Sequence, residues 1–508
     1  VYKFDKLISN VFEPFLNIWI DHQGTLIEKQ FLEYLNPATM YRKSGVADSI
    51  PQDSLTTNKM GQEQALTEGD QNSIVLGNEE INVLESSADL FRTFRQVLSQ
   101  LIKLTRGRPL IKLSQLFSKD LMDYNKRILE PMLPTRDDII SAYSKNQKEA
   151  IEIICLVLNT ADYCSVTVSQ LEERLASLIT PDTLQKAIDF SHTKDSYLKL
   201  ISDCINLILA KFDNDLQYSW REMTNNNWRL QNDVDGESRY VSTIKKTLKD
   251  DCGLIFTSLS KPAFIRHLID KLVQMIVNSF IFNFTKLKPI SEVMAEQFTL
   301  DLQTLKSFFI DIPTKAPNGS KIKSSRSFMN SVNNSLQPII SLMKVLMTPS
   351  KPIDSYLVSY FSNIKDSNFT NFVKTIKLKG LLGNELTSEK ERFKYQDAFK
   401  AQLRAYQDQT DEQLSESNKF LEKLNLDPKS NKVTNFGFKT ETEDSNEISR
   451  SSSASNITNF FGGGNPSRRS LFNGGDIEKN FVKTLTDNRI NINENIRNFG
   501  KLFKKGGN

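Results

Sequence analysis

Histidine and cysteine are scarce in this chain. Its 508 residues include three histidines (His22, His192, His267) and four cysteines (Cys155, Cys164, Cys204, Cys252). No two cysteines make a C-x-x-C pair and no histidine stands near a cysteine at zinc-ligand spacing, which excludes the usual zinc modules. So few thiols in a long chain fit a reducing compartment better than a disulfide framework. A nucleophilic cysteine needs a base beside it, and the three histidines are isolated in sequence. Charge of one sign is lacking too: 65 Lys and Arg stand against 61 Asp and Glu, a net charge of +4. A protein that lives on phosphate backbones carries a larger or more clustered excess, so nucleic-acid binding is set aside. The phosphate loop G-x-x-x-x-G-K-[ST] does not occur, and the glycines at 462–464 follow no strand and open no helix. No uninterrupted apolar run approaches the roughly 18 residues that span a bilayer. The nearest stretch, 268–284, contains Asp270, Lys271, Gln274 and Asn278. The chain opens at Val1 with no signal-peptide pattern, and it is expected to be a cytosolic protein read from partway along a longer one.

What is present is helical periodicity. Residues 1–40 read as a helical segment, with Pro14 as a possible kink, continuing from a missing N-terminal region. Residues 41–87 turn to Ser, Gln, Asn, Gly, Thr and acids, the composition of a disordered insertion. Helical stripes return over 88–105 and 110–129, separated by Arg106-Gly107-Arg108-Pro109. From 147 to 179, Ile154, Ala161, Val168 and Leu175 recur by sevens, and so do Val157, Cys164, Leu171 and Leu178, offset by three. That seam predicts a long helix packed lengthwise against another. Thr180-Pro181 reads as an N-cap and first helical position of the next helix. Further helices are expected over 240–258, 262–286, 291–310, 328–347 (bent at Pro338), 352–378 and 388–424. Alternation with β-branched residues never persists. The fold class is all-α: an elongated stack of helical bundles, with a middle bundle at 88–260 and a C-terminal bundle at 261–425. Residues 426–508 read as a low-complexity tail with a short amphipathic helix near 480–505.

Chemistry-bearing candidates are few. Asp233-Val234-Asp235-Gly236 faintly resembles a calcium loop, but that frame puts Ser242 where a bidentate Glu belongs, and a polar turn fits better. The cysteines fit as small buried hydrophobes. Neither catalytic, metal nor cofactor-binding residues are assigned. Two surfaces stand out as candidate partner or membrane contacts. One is Lys286 and Lys288 with Lys321, Lys323 and Arg326, whose ordinary reading is solvated loop charge. The other is the tail, where Arg497, Phe499, Lys501, Phe503 and Lys504 combine an apolar stripe with positive charge.

Several stretches resemble the vacuolar protein sorting-associated protein 53 family, a subunit of the Golgi-associated retrograde protein (GARP) tethering complex. They are Cys155 through Cys164 with Gln170 through Leu175; Lys288-Pro289-Ile290-Ser291 with Ala295-Glu296-Gln297, Leu300-Asp301 and Leu305-Lys306; and Lys344 through Met347 with Pro349, Pro352 and Lys379-Gly380-Leu381. Weaker similarity reaches Phe12-Glu13-Pro14 and Ala88 through Phe91. The resemblance implies a rod of stacked helical bundles that tethers vesicles without catalysing a reaction or holding a cofactor. It implies retrograde transport from endosomes to the trans-Golgi network, promotion of SNARE-dependent fusion, and peripheral association with the cytosolic face of those membranes. The partners it implies are the other complex subunits, mainly through the missing N-terminal region, SNARE proteins and a Rab-class small GTPase. From the residues alone, a helical adaptor of another trafficking complex is the alternative, with an enzyme of scattered site residues behind it.

Overall fold

A computed structural model describes residues 5–36, 39–43, 82–140, 147–312, 326–382, 388–410 and 413–426. Among these residues sixteen α-helices run in chain order: α1 (Asp5–Tyr34), α2 (Glu85–Leu101), α3 (Pro109–Tyr124), α4 (Glu130–Met132), α5 (Arg136–Ile140), α6 (Gln147–Leu178), α7 (Ser191–Asp215), α8 (Gln217–Asn225), α9 (Arg239–Ser258), α10 (Pro262–Phe284), α11 (Glu292–Asp311), α12 (Arg326–Met347), α13 (Ile353–Ile364), α14 (Phe369–Leu378), α15 (Ser388–Gln409) and α16 (Lys419–Lys423). Among the described residues there is no strand, only the isolated bridges Lys43 to Leu84 and Asp366 to Ser415. The all-α expectation therefore stands. Most of the insertion at 41–87, and the tail from 427 onward, lie outside the described residues.

The helices gather into two compact units. One holds the described residues up to Leu207 with Ser258–Ser260; the other holds Ile208–Thr257 and the described residues from Lys261 onward. In the first, α6 is the central helix, contacted by α2, α3 and α5. The heptad positions Ile154, Ala161, Val168 and Leu175 are all fully buried. Burial goes further than a two-helix seam requires, because every residue from Ile154 to Asp162 is covered. A helix covered on all sides reads as apolar all round. By length and composition α6 could cross a membrane, but 67% of its most apolar window is covered by the protein itself. Around it, Phe94 stacks on Phe117 with ring centroids 4.1 Å apart, and Phe91 meets Tyr163 edge-on at 5.8 Å. Each such ring, withdrawn from water, contributes about 2–3 kcal/mol.

In the second unit α12 is the hub, packed against α10, α11, α13 and α14. It continues through Pro338 as one helix. Trp228, Phe280, Phe284 and Phe298 form one aromatic cluster, with Trp228 and Phe298 centroids 4.8 Å apart. Tyr360, Phe361, Phe369, Phe372 and Phe399 form another.

Three local expectations are corrected. Pro181 does not open α7; it leads into a 3-10 turn over Asp182–Ala187, and α7 begins at Ser191. The stretch 352–378 is two helices, α13 ending where Lys365 turns left-handed at φ 56°. The stretch 388–424 is likewise α15 and the short α16. A buried side chain holds both the corner after Lys365 and the start of α16. Asp366, fully buried, accepts from Asn368 N at 2.5 Å, Asn371 Nδ2 at 2.7 Å and Asn418 N at 3.0 Å. Those bonds outweigh the roughly 1–2 kcal/mol that a non-glycine residue loses in the left-handed region.

Candidate functional site

Asn159, Thr160, Gln297, Asp301 and Lys379, from the three distinctive stretches, turn inward and bind backbone. On α6, Asn159 Nδ2 donates to Ser258 O at 2.9 Å, and its Oδ1 accepts from Ser260 N at 3.1 Å. Thr160 Oγ1 accepts from Leu84 N at 3.1 Å. Glu85 N in turn donates to Arg42 O at 3.0 Å, so the two ends of the insertion are held together. One turn of α6 thus fixes two separate connections. The cysteines beside it fit their apolar reading: all four are buried and free. Burial pushes the thiols of Cys155 and Cys252 up to about 12.

On α11, Gln297 and Asp301 stand one turn apart and hold the loop before α9. Gln297 Nε2 donates to Gly236 O at 2.8 Å, and its Oε1 accepts from Gln231 Nε2 at 2.8 Å. Asp301 Oδ1 accepts from Ser238 N at 2.9 Å. Burial raises the Asp301 carboxyl above its ordinary range even though these hydrogen bonds pull it down. The sequence that resembled a calcium loop is therefore a turn carried by α11, with Gly236 at φ 73°. Among the described residues no group of three His, Cys, Asp or Glu is placed to hold a metal ion.

The densest constellation lies where α10, α11, α12 and α14 end or begin. Ser291 caps α11 by accepting from Met294 N at 3.2 Å. Glu292 follows and accepts from Lys379 Nζ at 2.6 Å. The same ammonium donates to Thr348 O at 2.5 Å and lies 5.4 Å from the centre of the Tyr356 ring. The Lys379 side chain is only 3% exposed, whereas Glu292 is half in water. Desolvation alone would raise the Glu292 carboxyl; the bond from Lys379 outweighs it and holds the group below its usual range. Beside this pair, Ile290 N donates to Leu378 O at 2.9 Å. A buried ammonium with two hydrogen bonds and a ring face beside it fixes geometry by tying three chain ends to one point.

The basic stretch is placed in part. Lys286 is exposed, donates to Asn283 Oδ1 at 3.2 Å and lies 3.7 Å from the Phe282 ring centre. Lys288 is half-buried and donates to Leu426 O at 2.5 Å. Arg326 is exposed at the first position of α12. Lys321 and Lys323 lie outside the described residues, as do Arg497, Phe499, Lys501, Phe503 and Lys504. Sequence reasoning quoted Lys379 and Asp301 for resemblance only and missed Glu292 and Asp366 altogether. Signals were available for the junction: a serine followed by glutamate at a helix start, and Lys-Gly at a helix end.

Comparison with known proteins follows the same residues. The family described as Vacuolar protein sorting-associated protein 53 C-terminus matches residues 296–381. Vacuolar protein sorting-associated protein 53 of Saccharomyces cerevisiae is 27% identical over 415 residues, covering 73% of this chain and 46% of the yeast protein. Protein 53 A of Arabidopsis thaliana is 25% identical, covering 75% of this chain and 42% of the plant protein, and the Caenorhabditis elegans homolog is 22% identical. The chain thus spans less than half the length of these relatives. Among solved structures, the C-terminal domain of the exocyst subunit Sec6p matches with a TM-score of 0.53 at 13% identity, over 84% of this chain and 99% of that domain. That likeness concerns fold alone. The sequence comparisons agree: the chain is similar to vacuolar protein sorting-associated protein 53 over about three quarters of its length, and residues 296–381 match the C-terminus of that family.

Proposed function

We propose that this chain is part of a non-catalytic subunit of a multisubunit vesicle-tethering complex, the GARP complex, working in retrograde transport from endosomes to the trans-Golgi network. The observation that carries this reading is similarity to protein 53 sequences from yeast, plant and worm across about three quarters of the chain, on a helical fold like that of an exocyst subunit. The chemistry is consistent. The buried polar groups described above are spent on backbone clamps, which is the construction of a stiff scaffold, and tethering is work done by surfaces.

In this reading the protein acts at the cytosolic face of the trans-Golgi network and endosomes as a peripheral component. It joins the other subunits mainly through sequence upstream of Val1, and it contacts SNARE segments by helix-in-groove docking and a Rab-class GTPase. Lys286, Lys288, Lys321, Lys323 and Arg326 form the proposed contact for an acidic partner.

Two measurements test the reading. Cells depleted of the protein should mis-sort cargo that cycles between endosomes and the trans-Golgi network, and the full-length gene should restore sorting. In pull-downs, this chain alone should recover the other subunits poorly and the upstream-extended protein should recover them well. Normal sorting after depletion would refute the role; equal recovery would refute the assignment of assembly to the upstream region.

A further inference from the structure

The last described segment, residues 413–426, is held to its bundle mainly through its backbone. Lys374 on α14 donates to Leu421 O and, at 2.8 Å, to Glu422 O, carbonyls in the last turn of α16. Lys288, in the turn before α11, donates to Leu426 O at 2.5 Å. Asp366 accepts from Asn418 N at 3.0 Å, and Ser415 N donates to Lys365 O at 2.9 Å. Asn418 in turn caps α16, its Oδ1 accepting from Phe420 N at 3.1 Å and Leu421 N at 3.2 Å. The side chains that the bundle encloses are three leucines. Leu421, Leu424 and Leu426 are buried, while Lys419, Glu422 and Lys423 between and before them are exposed.

Such a surface asks little of its occupant: one capped turn, leucines at fixed spacing, and carbonyls for two ammoniums. At five residues α16 is too short to persist as a helix alone, so the segment takes its shape from the surface. Its departure strands no charge. Lys288 and Lys374 are half-buried and can turn to water, unlike the covered Lys379. Asp366 keeps its bonds from Asn368 N and Asn371 Nδ2, both in its own stretch. No described element follows residue 426, so leaving the site breaks no connection between helices of the bundle. We propose that α14 and the turn at 285–290 form a docking site for a peptide segment of a partner protein with the pattern Asn-x-x-Leu-x-x-Leu-x-Leu, and that residues 413–426 fill this site as its intramolecular substitute. Lys374 and Lys288 then hold the carbonyls of the incoming segment as they hold those of Leu421 and Leu426.

Hydrogen exchange and peptide binding, both on the full chain, test this. In the wild type, the amides of residues 415–424 should exchange about a hundredfold faster than those of α14, because the segment opens while the bundle stays folded. Leu421→Asp with Leu424→Asp should release the segment. A fluorescein-labelled peptide of residues 413–426 should then bind this variant about tenfold more tightly than the wild type, whose site is filled. Adding Lys374→Glu should abolish that binding without changing the melting curve of the double variant. Exchange of residues 415–424 as slow as that of α14 would overturn the proposal, even if the double variant folds poorly. So would a peptide that binds the double variant no better than the wild type, or that is indifferent to Lys374→Glu. Wild-type dimers that the free peptide dissociates would make a second copy of the chain the occupant, and would equally overturn it.

Discussion

A Cβ placed on Gly380 would lie 2.7 Å from Pro289 Cβ, although the two residues stand far apart in the sequence. Gly380 also has φ of +71°. Gly380→Ala therefore carries both left-handed strain and a steric clash, and should cost about 2–4 kcal/mol. Gly236 is the internal control, because it has φ +73° with nothing within 4 Å of its Cβ position. Gly236→Ala should cost only about 1 kcal/mol. Chemical denaturation of the two variants separates strain from contact; equal losses would remove Pro289 from the account.

The Lys379–Glu292 pair is unequal, since the ammonium is covered and the carboxylate half-hydrated. Removing the carboxylate strands a buried charge, while removing the amine leaves Glu292 to water. Glu292→Leu is therefore expected to cost about 3 kcal/mol or more and Lys379→Met about 1–2 kcal/mol. Thermal melts that rank them the other way would contradict this geometry.

Asp120 on α3 is nearly buried, and its Oδ2 finds no partner among the described residues. Desolvation first, then Asp123 and Glu28 working against Lys119, raises its carboxyl to about 7. A raised folded-state value means that the native protein holds this proton more tightly than the unfolded chain. The contribution is complete below about pH 4 and is lost as pH rises to about 7, at roughly 1.4 kcal/mol per unit. Asp120→Asn should match wild type near pH 4 and exceed its stability progressively up to pH 7. A stability difference independent of pH would show that the carboxyl does not titrate there.

Because burial raises the thiols of Cys155 and Cys252 to about 12 and covers all four cysteines, alkylation of the native protein at pH 8 should follow unfolding. Mass spectrometry should find no modified cysteine until denaturant opens the core. Rapid labelling of any of them without denaturant would disprove the packing.

Much of this fold is legible along the chain because helix formation and burial repeat every 3.6 residues. The sevens from Ile154 to Leu175 mark core positions, and Pro109 and Pro262 stand at the first positions of α3 and α10. Where the helical reading overran at Lys365, the corner depends on Asp366, whose partner Asn418, at the start of α16, is 52 residues away. No local pattern announces such a bond.

By itself, then, the order of amino acids determined the helical class of the described residues, their main apolar stripes, and the family likeness. These follow from local periodicity and composition. Only the tertiary structure decided that α6 is enclosed on every side between Ile154 and Asp162, that Asn159, Asp301 and Lys379 act as clamps, and that one apolar face of α1 is open among the described residues. Each of these depends on which groups distant in sequence reach one another, and a buried polar atom takes whichever partner the packing brings within about 3 Å.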